Sequence, residues 1–206
     1  MGGHRLSHGP ANRGRRVLQA AAPLFVCRPA SPPRGGVIVL HDVHGMTERV
    51  ERACRSLALG GWLAVSPFLY HQRGGPAFED AGPARAAMAE LSPEDVAADV
   101  AAAHSYLEAR APSRPAVVGF GAGGHLAAWA SVRHEVIAAA AVLPDDAVPR
   151  DDAAPPDGAA RLPWPGVPAL DALIAECRAP WLRTRGDDGE TWLSITRFLD
   201  QNLSTQ

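Results

Sequence analysis

Val117-Val118-Gly119-Phe120-Gly121-Ala122-Gly123-Gly124-His125 is the stretch on which the fold turns. It opens on β-branched apolar residues, passes through four glycines in six positions, and runs into Leu126-Ala127-Ala128-Trp129-Ala130. That order predicts a strand over 116–119, a tight turn, and a helix of small residues over 124–132. Glycines at this density suit a strained turn whose backbone packs closely on its neighbours.

Outward from this unit the same alternation repeats. Downstream, 136–143 is a second continuous apolar run, as expected of a strand buried on both faces. Upstream, Ser92-Pro93-Glu94-Asp95 supplies a helix cap, a proline at the first helical position and acids in the first turn. Val96, Val100, Ala103 and Leu107 give that helix its buried stripe, and Ala111-Pro112 ends it. Gly36-Val37-Ile38-Val39-Leu40 reads as a strand, and 62–65 as another. Between them Val50, Ala53, Cys54, Leu57 and Ala58 mark one helical face that stops at Gly60-Gly61. Short strands are also expected at 17–20, 24–28 and Trp181–Arg185, with a closing helix carrying Trp192, Ile195, Leu199 and Leu203. Residues 68–82 read as an irregular loop, and 144–168, crowded with Pro, Asp and Gly, as a long loop or lid. The predicted fold class is α/β: a three-layer sandwich on a mostly parallel sheet. Residues 1–14 are expected to be a mobile arm, and 15–206 a single domain.

With 206 residues, 47% hydrophobic and 20% charged, the chain has the composition of one globular domain. Its net charge is −2, and every basic residue other than histidine is Arg. No basic face for nucleic acid is expected. Cys27, Cys54 and Cys177 are far apart and form no zinc pattern, so neither a metal nor a cofactor is anticipated. No apolar run is long enough for a membrane span. Arg15-Arg16 is only faintly like an export signal, and the expected location is cytoplasmic. Oligomeric state is not legible in the chain.

The strand–turn–helix unit at Gly121 is also the setting of a nucleophile elbow, in which the central position normally carries Ser or Cys. A second segment, Leu40-His41-Asp42-Val43-His44-Gly45-Met46, fits a strand-to-loop passage able to supply the other half of an oxyanion hole. The run Gly60-Gly61-Trp62-Leu63-Ala64-Val65-Ser66-Pro67-Phe68-Leu69-Tyr70 and the later Gly186-Asp187-Asp188 complete a series of four motifs in register. Together, from about Arg16 to the C-terminus, the chain resembles the dienelactone hydrolase family. The resemblance implies an α/β-hydrolase sheet and a Cys or Ser nucleophile that opens lactones or esters. An Asp–His pair and two backbone donors would complete the site.

Carried over residue by residue, the family pattern is incomplete. The nucleophile position is Gly121, and the Glu that follows the strand histidine in the family is Asp42 here. Asp187 matches the triad acid, with Asp188 as a rival. The oxyanion donors would be the N–H groups of Val43 and Ala122. In this fold the histidine follows the acid, yet His4, His8, His41, His44, His71, His104, His125 and His134 all precede Asp187. The expectation is a relative that binds a small carbonyl or carboxylate ligand, or a partner protein, without covalent hydrolysis.

Two other readings stand beside it. His41, Asp42 and His44 could do non-covalent acid/base work on a lactone, ester or polyketide-like carbonyl, as a hydrolase, isomerase or cyclase, or they could serve only the loop. Tyr70 and His71 either line the pocket or belong to a solvated loop, and His125 reads as a packing residue. Finally, Gly119-x-Gly121-x-x-Gly124 satisfies the dinucleotide pattern. Asp145 or Asp146 would then be the ribose-binding acid, but Asp145 falls 26 residues after Gly119, where that acid is expected at about 20.

Overall fold

The computed structural model describes residues 21–73, 75–143, 164–186 and 189–203. Six strands are present among them: β1 (Leu24–Cys27), β2 (Gly36–Leu40), β3 (Leu63–Pro67), β4 (Ala116–Phe120), β5 (Ala139–Leu143) and β6 (Trp181–Arg185). They form one sheet in the order β1-β3-β2-β4-β5-β6. β1 runs antiparallel to β3, and every other pairing is parallel. Parallel neighbours need crossovers, and helices supply them: α1 (Glu48–Leu59), α2 (Ala81–Glu90), α3 (Pro93–Glu108), α4 (Ala122–Ser131), α5 (Leu170–Glu176) and α6 (Gly189–Leu203).

Alternate strand residues feed two cores, which is why the central strands are apolar throughout. Ile38, Leu40, Val65 and Val117 pack with Val96, Val100, Ala103 and Leu107 of α3 and with Leu126 of α4. Val37, Val39, Ala64, Val118 and Val142 pack with Val50, Cys54 and Leu57 of α1 and with Ile195 and Leu199 of α6. The three layers are therefore α1/α6, sheet, and α2/α3/α4/α5. The Ser92 side chain caps α3 by accepting from the Asp95 N–H at 3.0 Å. Cys54 is fully buried on the α1 stripe, and burial pushes its thiol well above the usual range.

Several boundaries differ from the sequence reading. The strand expected at 62–65 begins at Leu63 and continues through Pro67, because Ser66 and Pro67 lie opposite Phe25 and Leu24 in the antiparallel pair. The strand expected at 136–143 is ordered as strand only from Ala139. The irregular loop at 68–82 gives way at Ala81 to α2, and α5 follows the long loop; neither helix was anticipated. The expected arm, the strand at 17–20, Asp145, Asp146 and most of the 144–168 segment lie outside the described residues. The end of that segment is firmly seated. The Trp164 indole donates to the Leu91 carbonyl at 2.7 Å and meets Trp129 edge-on at 5.5 Å.

Candidate functional site

β4 ends at Phe120 and α4 begins at Ala122, so a single residue turns the chain from sheet to helix. That residue is Gly121, with φ 49° and ψ −117°, a conformation L side chains rarely adopt. Its N–H donates to the Val142 carbonyl at 2.9 Å, and its own carbonyl accepts from the Gly124 N–H at 2.9 Å. The helix can start this abruptly only because its neighbours are glycine. A Cβ on Gly119 would lie 1.9 Å from the Gly123 oxygen, and one on Gly123 would lie 2.3 Å from the Leu40 oxygen and 2.4 Å from that of His41. The first turn of α4 is thus pressed against the end of β2, where the second motif begins.

The loop from β2 to α1 is held by its own polar groups. Asp42 Oδ1 accepts from the His44 N–H at 2.9 Å, and the Asp42 carbonyl accepts from Gly45 at 3.1 Å. Gly45 has φ 83° and touches the segment beyond β3: a Cβ there would lie 2.5 Å from the Pro76 oxygen. Met46 donates to Pro76 and Phe78 to His44, at 2.7 and 2.9 Å. Tyr70 is fully buried beneath this loop, and its hydroxyl donates to the Val43 carbonyl at 2.9 Å. Its ring packs on His41 and Phe78, with centroids 4.9 and 5.4 Å away. Burial pushes the Tyr70 phenol above its ordinary range, assisted by the nearby Asp42 charge, so it remains a donor.

The histidines separate by their bonds. His41 is fully buried, and its Nδ1 faces the Asp42 carbonyl at 2.8 Å. A carbonyl can only accept, so Nδ1 carries the proton and Nε2 presents a lone pair. Burial holds this imidazole below its ordinary value, against the opposing pull of the Asp42 carbonyl and carboxylate. His44 is half-buried, and its Nδ1 donates to the Phe78 carbonyl at 3.0 Å, again leaving Nε2 as the acceptor. His71 spends both ring nitrogens within its own turn, on the Phe68 carbonyl and the Gln72 amide. His125 is fully buried and donates from Nε2 to the Pro168 carbonyl at 2.8 Å, which pins the chain returning to α5.

Asp187 and Asp188 lie outside the described residues. Their flank, Gly186, has φ 76° and donates to the Leu143 carbonyl at 3.3 Å. It also accepts from Arg49 Nη2 at 3.3 Å. The Arg49 guanidinium lies over the Phe120 ring, 4.9 Å from its centroid, and Phe120 in turn meets Trp192 of α6. Arg49 therefore joins the end of β4 to the end of β6, and the sequence reading missed it. The available signal was its position: a cation in the first turn of a helix opposes the helix dipole.

The arrangement brings Gly121, Ala122, His41, Asp42, Val43, His44 and Tyr70 to one end of the sheet. The Ala122 N–H, at the start of its helix, has no intrahelical acceptor. Among the described residues, neither it nor the Val43 N–H donates to a turn or loop carbonyl. A groove of about 680 Å³ lies at the opposite end, among Arg114, Arg133, His134, Glu176 and Arg178, and includes none of these residues. No group of three or more His, Cys, Asp or Glu among the described residues could hold a metal ion.

Residues 23–159, two thirds of the chain, match the dienelactone hydrolase family. Over 56 residues the chain is 39% identical to an Escherichia coli (strain K12) protein named "Putative carboxymethylenebutenolidase". That stretch is 26% of this chain and 21% of the relative, so it spans only about a fifth of the relative's length. Among solved structures, a Klebsiella pneumoniae "Putative Dienelactone Hydrolase" superposes with a TM-score of 0.61 at 21% identity, over 89% of this chain and 75% of that one. The dienelactone hydrolase-like promiscuous phosphotriesterase P91, from metagenomic libraries, gives 0.59 at 13% identity, over 88% and 99%. At such identities the likeness is one of fold, and it agrees with the parallel sheet and flanking helices described above. By the family match, the chain belongs to the dienelactone hydrolase family.

Proposed function

We propose that this protein is a member of the family that binds a small carbonyl or carboxylate ligand without covalent catalysis. One observation carries the reading. The residue turning β4 into α4 has the strained geometry of an elbow, and it is Gly121, with no side chain to attack a substrate. Within residues 1–206, moreover, none of the eight histidines follows the acid position, where this fold places the base. Removing either group from a covalent triad typically costs about 10⁶ in turnover, and removing both costs little more. Binding survives that loss because the remaining donors, the Val43 and Ala122 amides, belong to the backbone. The proposal includes a cytoplasmic location; no helix among the described residues is long and apolar enough to cross a membrane.

The test is incubation with a fluorophosphonate and with an activated ester, read by intact mass and by stopped-flow. The expected result is no stoichiometric adduct and no burst. A labelled residue at the elbow would overturn the reading.

A second reading has an observation of its own. The His44 Nδ1–H is fixed on the Phe78 carbonyl, so the Nε2 lone pair is the one a general base would use. On that reading Asp42 and His44 act non-covalently on a lactone, ester or polyketide-like carbonyl, in hydration, isomerisation or cyclisation. It requires turnover that disappears in His44→Ala with the fold intact. The nucleotide reading requires that NAD or NADP raise the melting temperature.

A further inference from the structure

We infer that His41 is a positioning residue: from beneath the loop it fixes the direction in which the Val43 N–H is offered to a ligand. The inference rests on the binding reading above and goes beyond it to the group that sets the donor. The connecting unit is the peptide between Asp42 and Val43. Its oxygen accepts from His41 Nδ1 at 2.8 Å and from the Gly45 N–H at 3.1 Å. A peptide is planar, and in the trans form found throughout the described residues its C=O and N–H point opposite ways. Whatever holds the Asp42 oxygen therefore also holds the Val43 N–H, on the side away from the imidazole. That N–H has no hydrogen-bond partner among the described residues, and Val43 is only half-buried, so the donor is open to a ligand.

The imidazole is committed to this one bond. Its ring is fully buried, and among the described residues Nε2 has no hydrogen-bond partner, so Nδ1 makes the side chain's single hydrogen bond. Shielding from water makes such a bond electrostatically stronger than an exposed one. A carbonyl oxygen has two lone pairs, and with Gly45 on one, His41 takes the other. Without the imidazole the peptide would be free to rock about the Gly45 bond. The next peptide is anchored just as firmly: Tyr70 donates to the Val43 carbonyl at 2.9 Å, and the His44 N–H donates to Asp42 Oδ1 at 2.9 Å. Tyr70 also packs on the His41 ring, centroids 4.9 Å apart. His41 braces the other half of the site through its backbone, since a Cβ on Gly123, next to Ala122, would lie 2.4 Å from the His41 oxygen.

The test separates the position of the donor from the bulk of the ring. Asn sets its amide nitrogen where Nδ1 stands, Gln sets it near Nε2, and Leu has no donor. In the ¹⁵N-labelled full chain, relaxation of the Val43 amide without ligand reads its order, and titration with benzoate reads its use. The native amide should be as ordered as rigid backbone, with an order parameter of about 0.85, and should shift saturably with benzoate. His41→Leu and His41→Gln should lower that order and weaken benzoate about three- to tenfold, the scale of one hydrogen bond. His41→Asn should restore most of both, although its lost packing lowers the melting temperature. A merely structural role predicts instead that order and affinity follow the melting temperature in every variant. Native-like order in His41→Leu, a loss in His41→Asn equal to that in His41→Leu, or no saturable response of the native Val43 amide would overturn the inference. If the variants fail to fold, the ¹⁵N spectrum of the native imidazole decides: Nδ1 should carry the proton, and a proton on Nε2 alone would remove the bond. A fluorophosphonate adduct would sink the non-covalent reading and leave the ligand-free order data standing; unchanged order in adduct-free His41→Leu would sink only the role of His41.

Discussion

Placing a methyl group at each glycine of the Gly121 turn should give a ranked series of stabilities. At Gly121 the obstacle is conformational: φ 49° with ψ −117° costs an L residue about 1–3 kcal/mol. For a domain of this size each kcal/mol lowers the melting temperature by roughly 2–4 °C, so Gly121→Ala should melt about 2–12 °C below the parent. At Gly123 the obstacle is steric, because the new Cβ would meet the carbonyl oxygens of Leu40 and His41 at 2.3 and 2.4 Å. Both are backbone atoms at the end of a central strand, so α4 itself must lift. Gly123→Ala should cost more than about 4 kcal/mol, beyond the ordinary range for a single substitution. Gly119→Ala, at 1.9 Å from the Gly123 oxygen, should be at least as severe. Thermal and urea unfolding followed by circular dichroism measure the series. A Gly→Ala change at an unstrained position stabilises by about 0.4–1 kcal/mol. A Gly121→Ala protein more stable than the parent would therefore refute the turn geometry, and a well-folded Gly123→Ala would refute the close approach. Gly121→Ser and Gly121→Cys should fall with Gly121→Ala in stability and, in the chain of residues 1–206, should not turn over p-nitrophenyl acetate efficiently, because none of its histidines follows the acid position to activate the new group.

Tyr70→Phe deletes the 2.9 Å bond to the Val43 carbonyl and should cost about 1 kcal/mol in urea unfolding; no change would show that the loop does not depend on that bond. Burial holds His41 below its ordinary value, so in the window beneath about pH 6.5 the unfolded chain binds a proton that the native chain refuses. Stability should therefore fall as pH drops from 7 towards 5, by at most about 1.4 kcal/mol per pH unit from this group. His134, also lowered by burial, acts in the same sense, whereas Asp99, raised by burial, acts in the opposite sense at lower pH. His41→Gln should flatten the slope between pH 7 and 5, and an unchanged slope would mean that His41 is not the source.

How much of this could be read in advance depended on whether a residue's role is set locally. β2, β4 and β5 are buried on both faces and must be apolar throughout, so their runs are visible as such. α1 and α3 show single stripes because each lies on one face of the sheet. α2 escaped notice because Pro83 and Arg85 interrupt a stripe made only of Ala84, Ala87 and Met88. α5, seven residues long with Leu173 alone fully buried, offers too short a pattern to recognise. At the site, the glycines announced the turn. The state of His44 did not appear, because the carbonyl that fixes its tautomer belongs to Phe78, carried there by the bridge between Gly45 and Ala77. Arg49 was hidden for the same reason, since Phe120 and Gly186 reach it only through the order of strands.

That distinction between local and assembled roles also explains how binding and covalent chemistry can part company here. Nothing that shapes the turn involves a side chain at position 121. The Gly121 N–H is held by Val142, the Gly124 N–H returns to the Gly121 carbonyl, and the flanking glycines set the distance from helix to strand. The Val43 side of the site is equally independent, being fixed by Asp42, Tyr70 and the contacts of Gly45. A turn built in this way keeps its backbone in place whether or not a nucleophile stands on it. Glycine at its centre removes the about 1–3 kcal/mol of strain that any other residue would store there. Glycine at position 121 therefore carries no structural penalty, and on the proposed reading a bound ligand would be held by the backbone amides.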